Sequence, residues 1–484
     1  MTGRDRGVSR GASGNVATYM TAMVWFRRDL RVRDNPALRA ALERHDRVVP
    51  AFCFDPRLLG GRHASGSRTQ FMLECLAELD AALRERGGRL FVRSGRPERE
   101  LVALARETGC EEVHFAYDVS PFARRRGEAA ASAFADAGVE VRPHEGLNAV
   151  DVRAVETGEG RPYSVFSPFH RTWSGIERRS VLDAPTSVPA PRGRAGRLPK
   201  LADLGLRQEV SDPPAGGEQA ALRRLSAFLD TDVREYADNH DALGRDRTSR
   251  LSPYLHFGCV SPRLLEERLP RGKGAQAFRR QLCWRDFHHH VLFHFPGNAH
   301  SEFQARYRGK LRWSRSRRAF EAWTEGRTGF PLVDAGMRQL RREGWMHNRA
   351  RLVVGSFLTK DLGIDWRRGE RHFMRYLVDG DQANNNGNWQ WIASVGTDPA
   401  PYFRRIYNPA LHMERYDPEG KYVRRFVPEL ERVPDEHLRE PWRMPADVQR
   451  EAGCVIGEDY PAPIVDHRDA REEALARYRA AAGG

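Results

Sequence analysis

The sequence predicts an α/β domain followed by an all-α domain. Between residues 22 and 150, short apolar segments alternate with amphipathic helical patterns, which is typical of βαβ units in a parallel, Rossmann-like sheet. Residues 151–215 are rich in Gly, Pro, Arg and Ser and have little periodicity, which predicts a long interdomain linker. From residue 216 to residue 484 the apolar patterns are helical, so the second domain should be all-helical.

The elements of the first domain follow from its alternation of patterns. The predicted strands are 23–26, 48–54, 90–93, 112–117 and 140–143, and helical patterns cover 67–86, 97–108 and 121–137. No GxGxxG motif follows the first strand, so a dinucleotide is not expected there in the usual way. The carboxyl edge of such a sheet can still hold a small ligand.

Composition limits the class of protein. The chain has 484 residues, enough for two or three domains, and no apolar run is long enough to span a membrane. Residues 1–21 are polar and basic without the apolar segment of a signal peptide, so we expect a disordered tail. The six cysteines are scattered without a CxxC pair, which favours a reducing cytoplasm over a disulfide framework or a zinc knuckle.

The net charge of +14 indicates a polyanionic partner such as nucleic acid. A purely compositional origin of this charge has equal weight. Only five of the 79 cationic side chains are lysines, so the charge also fits the arginine-rich composition that GC-rich coding produces.

Two motifs of the second domain have both a functional and a structural interpretation. Thr248, Ser249 and Ser252 surround a predicted helix start, where hydroxyl and free N–H groups can bind phosphate or simply cap the helix. Asp286, His290 and His294 share one helical face, and this spacing could bind a metal. A partly buried polar face is favoured, so no metal site is expected.

The segment DGDQANNNGNWQW, residues 379–391, combines acids, amides and indoles. Its carboxylates can accept hydrogen bonds from an amide-like ring or ribose, and an asparagine can face a ring nitrogen whose protonation changes. Trp391 offers a flat face for a base. The alternative is an Asn/Gly-rich turn with buried indoles. Trp313, Trp366 and Trp389 are each typical of a core, although closely spaced indoles could also form an electron-hopping chain.

Several motifs, taken together and in order, resemble the DNA photolyase/cryptochrome family. They are MVWFRRDLRVRDNPAL, RTSRLSPYLHFGCVSPR, GWMHNRARLVVGSFL, and DWRRGERHFMRYLVDGDQANNNGNWQWIASVGTDPAPYF with the later Asn408–Pro409. The similarity covers about residues 22–470. The chain resembles the class I cyclobutane pyrimidine dimer photolyases in particular, and among them the actinobacterial-looking members.

The resemblance implies an antenna domain, a helical domain that holds FAD, and light-driven repair of UV-damaged DNA by a soluble monomer. In that family, excited reduced flavin gives an electron to the dimer, the cyclobutane ring splits and the electron returns. Asp379, paired with Arg351, would hold the flavin, Asn385 would face flavin N5, and Trp389, Trp366 and Trp313 would reduce the flavin from the surface. The full implied set of cofactor-binding residues is Tyr236, Thr248, Ser249, Arg250, Leu251, Ser252, Phe278, Gln281, Asn348, Arg351, Asp379, Gly380, Asp381 and Asn385.

The resemblance also implies a lesion site. The dimer must leave the duplex, which costs about a few kcal/mol and less at a damaged base. Trp284 and Trp391 would form aromatic walls for it, and Arg349 and Arg404 would meet the flanking phosphates. Asn348 stands where (6-4) photolyases carry a catalytic histidine, and therefore favours the cyclobutane substrate.

Two positions depart from the family pattern. Gln281 replaces a glutamate that hydrogen-bonds the dimer in many class I enzymes; it can donate and accept, but supplies no proton or charge. Leu352 replaces a methionine that several relatives place against the lesion, a volume-conserving change with little expected effect.

The sequence says less about the antenna chromophore than about the flavin and lesion sites. Ser120 and Pro121 occupy the place of the Asn-Glu pair that marks folate-type antennas. An 8-HDF-type deazaflavin near Cys53, Asp55 and Asp118 is therefore preferred over methenyltetrahydrofolate, and an empty pocket is the alternative.

Three other functions remain open at this stage. A cryptochrome light sensor would signal without repair and often carries a long carboxyl tail, whereas Asn348 and Asn385 fit repair and this sequence ends at ARYRAAAGG. A (6-4) photolyase is slightly favoured by Gln281 and opposed by Asn348. A redox flavoprotein without DNA is opposed by the basic charge and by Trp391.

Overall fold

The computed structural model describes residues 20–61 and 63–483. The expected disordered tail, residues 1–21, lies outside the described residues except at its end, where Thr21 already begins the first strand.

The first domain is built on a five-stranded parallel sheet in the order β3-β2-β1-β4-β5. The strands are β1 Thr21–Trp25, β2 Arg47–Phe54, β3 Phe91–Ser94, β4 Cys110–Ala116 and β5 Glu140–His144. The order reverses between β1 and β4, so the carboxyl ends of these two strands form the switch point at which such sheets bind ligands.

Helices cover the sheet: α1 Pro36–Arg44, α2 Pro56–Leu59, α3 Gly66–Arg84, α4 Pro97–Thr108 and α5 Pro121–Asp136. Their starts are encoded locally. The side chains of Asn35, Ser65 and Ser120 accept hydrogen bonds from the first turns of α1, α3 and α5. The predicted α/β architecture is confirmed, with strand and helix ends shifted by one or two residues.

The interdomain segment is more ordered than the predicted linker. It contains helix α6, Phe166–Gly175, and a 3₁₀ turn, Leu201–Leu204. Phe166, Phe169 and Trp173 are buried on α6. They pack with Phe287 and neighbouring residues of the second domain, so tertiary burial orders a segment whose local pattern is weak.

The second domain is helical, as predicted. Its helices are α7 Glu218–Thr231, α8 Tyr236–Asn239, α9 Ser252–Phe257, α10 Pro262–Arg268, α11 Lys273–His294, α12 Arg317–Glu325, α13 Pro331–Glu343, α14 Asn348–Ser356, α15 Trp366–Tyr376, α16 Gln382–Ile392, α17 Pro409–Tyr416, α18 Lys421–Phe426, α19 Ala446–Ala452 and α20 His467–Ala482. A π-helical turn, Phe357–Asp361, continues α14. None of the described helices is long and apolar enough to cross a membrane.

The two domains share a core. One apolar cluster joins Val24 of β1 and Leu76 of α3 to Leu225 of α7 and Leu282 of α11. Cys75 and Cys259, one from each domain, place their Sγ atoms 3.2 Å apart inside it. The α/β domain is therefore packed directly against the helices that form the site.

Candidate flavin and lesion site

A cavity of about 520 Å³ opens in the helical domain between α8, α9, α11, α14, α15 and α16. Most of the predicted site residues line it. They are Tyr236, Thr248, Ser249, Arg250, Leu251, Ser252, Phe278, Gln281, Trp284, Asn348, Arg349, Arg351, Leu352, Asp379, Asp381, Asn385, Trp389 and Trp391. Segments up to 155 residues apart in sequence thus form one site, as the resemblance predicts.

The deep wall of the cavity, formed by Asp379, Asn385 and Trp389, is buried. Arg351 donates to Asp379 Oδ2 at 2.8 Å, as expected, and Ser252 Oγ donates to the same oxygen at 2.6 Å. The other oxygen, Asp379 Oδ1, is buried without a hydrogen-bond partner among the described residues. An unpartnered buried carboxylate oxygen is costly, so this atom is suited to accept a hydrogen bond from a ligand.

Asp381 has a different environment from Asp379. Its Oδ1 caps α16 by accepting from Asn384 N at 2.8 Å and lies 3.3 Å from His289 Nε2. Its Oδ2 pairs with Arg28, which comes from the α/β domain. Burial would raise the pKa of Asp381, but His289 and Arg28 hold it well below its usual range. Asp381 therefore joins the two domains at the cavity wall with both oxygens engaged.

The remaining deep-wall residues are fixed by their neighbours. Asn385 Nδ2 donates to Glu370 O at 3.0 Å. The Trp389 ring lies against Gly369 of α15, where a Cβ would collide with it, and meets Phe373 edge-on at a centroid distance of 5.0 Å. Both side chains are thereby held rigidly beside the cavity.

The loop before α9 presents its polar groups to the cavity. Arg224 binds the carbonyl oxygens of Thr248 and Ser249 at 2.7 and 2.8 Å, while Thr248 Oγ1 is buried without a partner among the described residues. Arg250 lines the cavity in a left-handed conformation (φ 50°), but its guanidinium pairs with Asp246 and Glu343.

The mouth of the cavity is lined by two exposed amides, Gln281 and Asn348, and by two partly buried indoles, Trp284 and Trp391. The Trp284 ring stacks on the ring of Phe166 in α6, with 3.5 Å between the ring centroids and 3° between the ring planes. The predicted linker thus supports one wall of the mouth.

The other aromatic wall, Trp391, is also supported. The Arg405 guanidinium lies 4.1 Å from the Trp391 ring centroid, and Trp391 Nε1 donates to Asp398 at 2.9 Å. One face of each indole is covered, and both partly buried rings line the cavity, so the uncovered surface of each is available to a ligand.

Two of the predicted relay tryptophans, Trp366 and Trp389, belong to one apolar cluster, and Trp313 packs against it. Trp366 is fully buried at the start of α15, whose Gly369 contacts Trp389. Trp313 lies beside the residues before Trp366, because Ser314 N donates to Gly363 O at 2.7 Å. Trp323 was not singled out from the sequence, yet its ring centroid lies 6.2 Å from that of Trp389.

Some predicted residues lie outside the cavity lining. Gly380 packs against Arg68, and Arg404 is exposed in the 3₁₀ turn Tyr402–Arg405. Asp286 accepts from Trp173 Nε1 at 3.0 Å and from Ala149 N at 3.0 Å, so the Asp286-containing face anchors the interdomain segment.

The three predicted antenna residues lie near the carboxyl ends of β2 and β4. Asp118 pairs with Arg28 at 3.4 Å, Asp55 caps α2 and pairs with Arg57, and burial raises the pKa of Cys53 to about 12. The buried Arg126 interacts with all three, and its Nε has no partner among the described residues.

Buried histidines keep the cavity largely neutral apart from its paired ions. Burial lowers the pKa values of His256 and His288 to about 4, so both rings are uncharged near neutral pH. Sequence reasoning missed His288, Arg28, Phe166 and Arg405. Of these, only Arg28 lies in a quoted motif, and its partner is 353 residues away.

Comparison with known proteins accounts for this arrangement. The model of the family described as DNA photolyase matches residues 22–191, and that of the FAD binding domain of DNA photolyase matches residues 278–480. The chain belongs to the DNA photolyase/cryptochrome family. A deoxyribodipyrimidine photo-lyase of Streptomyces griseus is 44% identical over 467 residues, which cover 96% of this chain and 99% of that protein.

Two further members of the family show its breadth. A solved bacterial class III photolyase from Agrobacterium tumefaciens has a TM-score of 0.90 at 37% identity, covering 97% of this chain and 99% of that one. A cryptochrome DASH of Natronomonas pharaonis is 36% identical and covers 94% of this chain and 100% of that protein. The unpartnered Asp379 Oδ1 and Thr248 Oγ1 fit the binding of FAD, the cofactor for which the second matched domain is named.

Proposed function

We propose that the chain is a light-dependent DNA-repair enzyme, a deoxyribodipyrimidine photo-lyase that splits cyclobutane pyrimidine dimers flipped out of DNA. The observation that carries the proposal is the cavity, in which a buried wall for a flavin faces a mouth with two supported indoles. The 44% identity to a protein of that name, over nearly the whole of both chains, supports it.

The deep wall would hold FAD. Asp379, fixed by Arg351 and Ser252, would offer Oδ1 to the flavin, and Thr248 and Ser249 would meet the phosphate and ribityl region. Asn385 would face flavin N5. Bound FAD would supply light absorption and electron donation to the dimer.

The mouth would hold the flipped dimer. Stacking on the open faces of Trp284 and Trp391 would repay part of the extrusion cost, because each stacked base contributes about 1–3 kcal/mol. Gln281 and Asn348 would hydrogen-bond the dimer. Arg349 would bind a flanking phosphate from the cavity edge and Arg404 from the exposed turn, and Leu352 would contact the lesion.

Electrons for flavin reduction would come through Trp389, Trp366 and Trp313. The apolar cluster of Trp389 and Trp366, against which Trp313 packs, and the contact of Trp389 with α15 support this route. The Trp323 ring also lies edge-on to Trp389, with the ring centroids 6.2 Å apart, and offers a second indole through which charge could leave.

An antenna chromophore, if bound, would lie at the switch point of the sheet. The unpartnered Nε atoms of Arg27 and Arg126, both buried, favour an anionic chromophore there. An 8-HDF-type deazaflavin is the preferred chromophore, and the absorption spectrum of the purified protein tests it against folate and against an empty site.

The second candidate is a cryptochrome sensor without repair, which the similarity to a cryptochrome DASH keeps open. One experiment decides between the candidates. Purified protein is incubated with DNA carrying either cyclobutane dimers or (6-4) photoproducts, in blue light and in darkness. We expect repair of cyclobutane dimers only, and only in light; binding without repair would favour the sensor, and repair of the other lesion would overturn the substrate assignment.

A further inference from the structure

A second large cavity, of about 700 Å³, lies where the two domains meet. Its walls are Gly61, Ala64 and the start of α3, residues 205–207 and 209 of the interdomain segment, Phe320 of α12 and one face of α15. We call it the arginine recess, after its lining residues Arg207, Arg368, Arg371 and Arg375. It shares no lining residue with the flavin cavity.

The charge of the recess is not balanced. Arg375 pairs with Glu209 at 2.7 Å, and among the described residues of the lining Glu209 is the only carboxylate. Within the described part of the chain, the guanidinium groups of Arg207, Arg368 and Arg371 have no carboxylate partner. Guanidinium groups without carboxylates in a concave site favour an anionic ligand, and their fork geometry matches phosphate oxygens.

The sequence places these charges on one side of a helix. Arg368, Arg371 and Arg375 follow one another at spacings of three and four residues on α15, so they share a face. The Arg368 guanidinium lies 3.9 Å from the Phe320 ring centroid, which limits its freedom and reduces the entropy lost when a ligand binds.

Two further features of the lining bear on the electrostatic potential of the recess: one makes it more positive, and the other adds no charge. The first residue of α3, Gly66, belongs to the lining, and the amino terminus of this 19-residue helix carries the positive end of its dipole. Burial, with Arg341 and Arg375, lowers the pKa of His372 to about 3, so this lining ring is neutral.

A solvated charged face is the ordinary explanation of surface arginines. It does not account for the shape of this site, because here arginines of α15 and of the interdomain segment line one hollow. The volume lies within the range of about 300–1,000 Å³ that is usual for small-molecule sites. A recess between three elements also suits a small molecule better than the backbone of a DNA duplex.

We propose that the arginine recess binds a small molecule with two or more phosphate charges, of the nucleoside diphosphate or triphosphate class. The three guanidinium groups without carboxylate partners would bind the phosphates. The other face of α15 lines the flavin cavity through Phe373, and Leu377, the residue after the helix, lines it too, so the ligand would bind behind the flavin wall. This site is independent of the repair activity proposed above.

Isothermal titration of the FAD-loaded full chain with ATP, pyrophosphate and adenosine, at matched ionic strength, tests the proposal. Loading with FAD keeps the nucleotides out of the flavin cavity. We expect ATP and pyrophosphate to bind and adenosine not to bind. The variant Arg368→Ala/Arg371→Ala should weaken binding by about tenfold or more.

The control variant Arg125→Ala/Arg471→Ala removes the same charge from exposed positions elsewhere and should leave binding unchanged. The single change Arg371→Ala, at an exposed side chain, gives a second test in which folding is not in question. The proposal is overturned if neither phosphate compound binds, if the recess and control variants weaken binding equally, or if undamaged duplex DNA displaces the bound pyrophosphate. Light-driven repair is measured separately, so either proposal can fail alone.

Discussion

In the deep wall of the flavin cavity, polar groups are buried and held by several neighbours, whereas the mouth is lined by exposed amides and two supported rings. Asp379 is fixed by Arg351 and Ser252, while Gln281 and Asn348 are exposed. A buried, fixed wall suits a cofactor that stays bound, and an exposed mouth suits a substrate that enters and leaves. Changes in the deep wall should therefore act without DNA present, and changes at the mouth only when DNA is added.

The largest expected effect comes from Trp389→Phe in the deep wall. A phenyl ring gives up an electron much less readily than an indole, so reduction of oxidised FAD by an external reductant under blue light should fall below detection. FAD content should remain, because Phe can occupy the same apolar site against Gly369. Absorption spectroscopy during illumination measures the reduction, with Trp442→Phe as the control; an unchanged rate would remove Trp389 from the relay.

The next effect is that of Asp379→Asn on cofactor binding. The change keeps the shape of the side chain but removes the charge that Arg351 neutralises. Losing a charge-assisted hydrogen bond costs about 1.5–3 kcal/mol, so FAD affinity should fall about 10- to 150-fold. Fluorescence titration of the apoprotein with FAD checks this, with Asp466→Asn, which only alters the cap of α20, as the control.

At the mouth, Trp391→Ala should weaken binding of dimer-containing DNA about 5- to 150-fold, because one stacked base is worth about 1–3 kcal/mol. FAD content and photoreduction should not change. Fluorescence anisotropy with damaged and undamaged duplexes measures the effect. Equal weakening on both duplexes would mean that Trp391 does not distinguish the lesion.

A smaller effect at the mouth is expected for Phe166→Leu. Losing the aromatic stack would cost about 0.5–1.5 kcal/mol of support for Trp284, and lesion affinity should fall about two- to twelvefold. The neighbouring Val165→Ala, at an exposed side chain, is the control. If both variants bind the lesion like the parent protein, Trp284 holds its position without the stack.

Local sequence patterns were sufficient to predict most helices and strands of the first domain, but not all residues of the site. Helix α4 begins and ends as predicted, because Pro97 fits the first turn and Gly109 takes the left-handed conformation after the last. Asp379 and its partner Arg351 were found through motif resemblance, and the structure brings them to 2.8 Å.

The missed contacts share a physical cause. The buried aromatic residues of α6 recur at helical spacing, but they lie in a segment rich in Gly and Pro, and the helix packs on α11. The pair between Arg28 and Asp381 joins residues in different domains, and no periodicity specifies such a contact. Arg405 lies next to the predicted Arg404, but only the backbone of the 3₁₀ turn decides which of the two covers Trp391.

The smallest expected effect is that of Gln281→Glu at the mouth. Once the dimer has accepted an electron, it is a radical anion. A glutamate carboxyl group at this position can supply a proton or a charge beside that anion, whereas the glutamine amide can supply neither. Repair yield per absorbed photon should therefore rise modestly, while FAD content stays constant because Gln281 is exposed at the mouth rather than buried in the deep wall. The measurement is the quantum yield with saturating dimer-containing DNA, so that a change in affinity does not enter. An unchanged or lower yield would show that the glutamine already provides what this position contributes to repair.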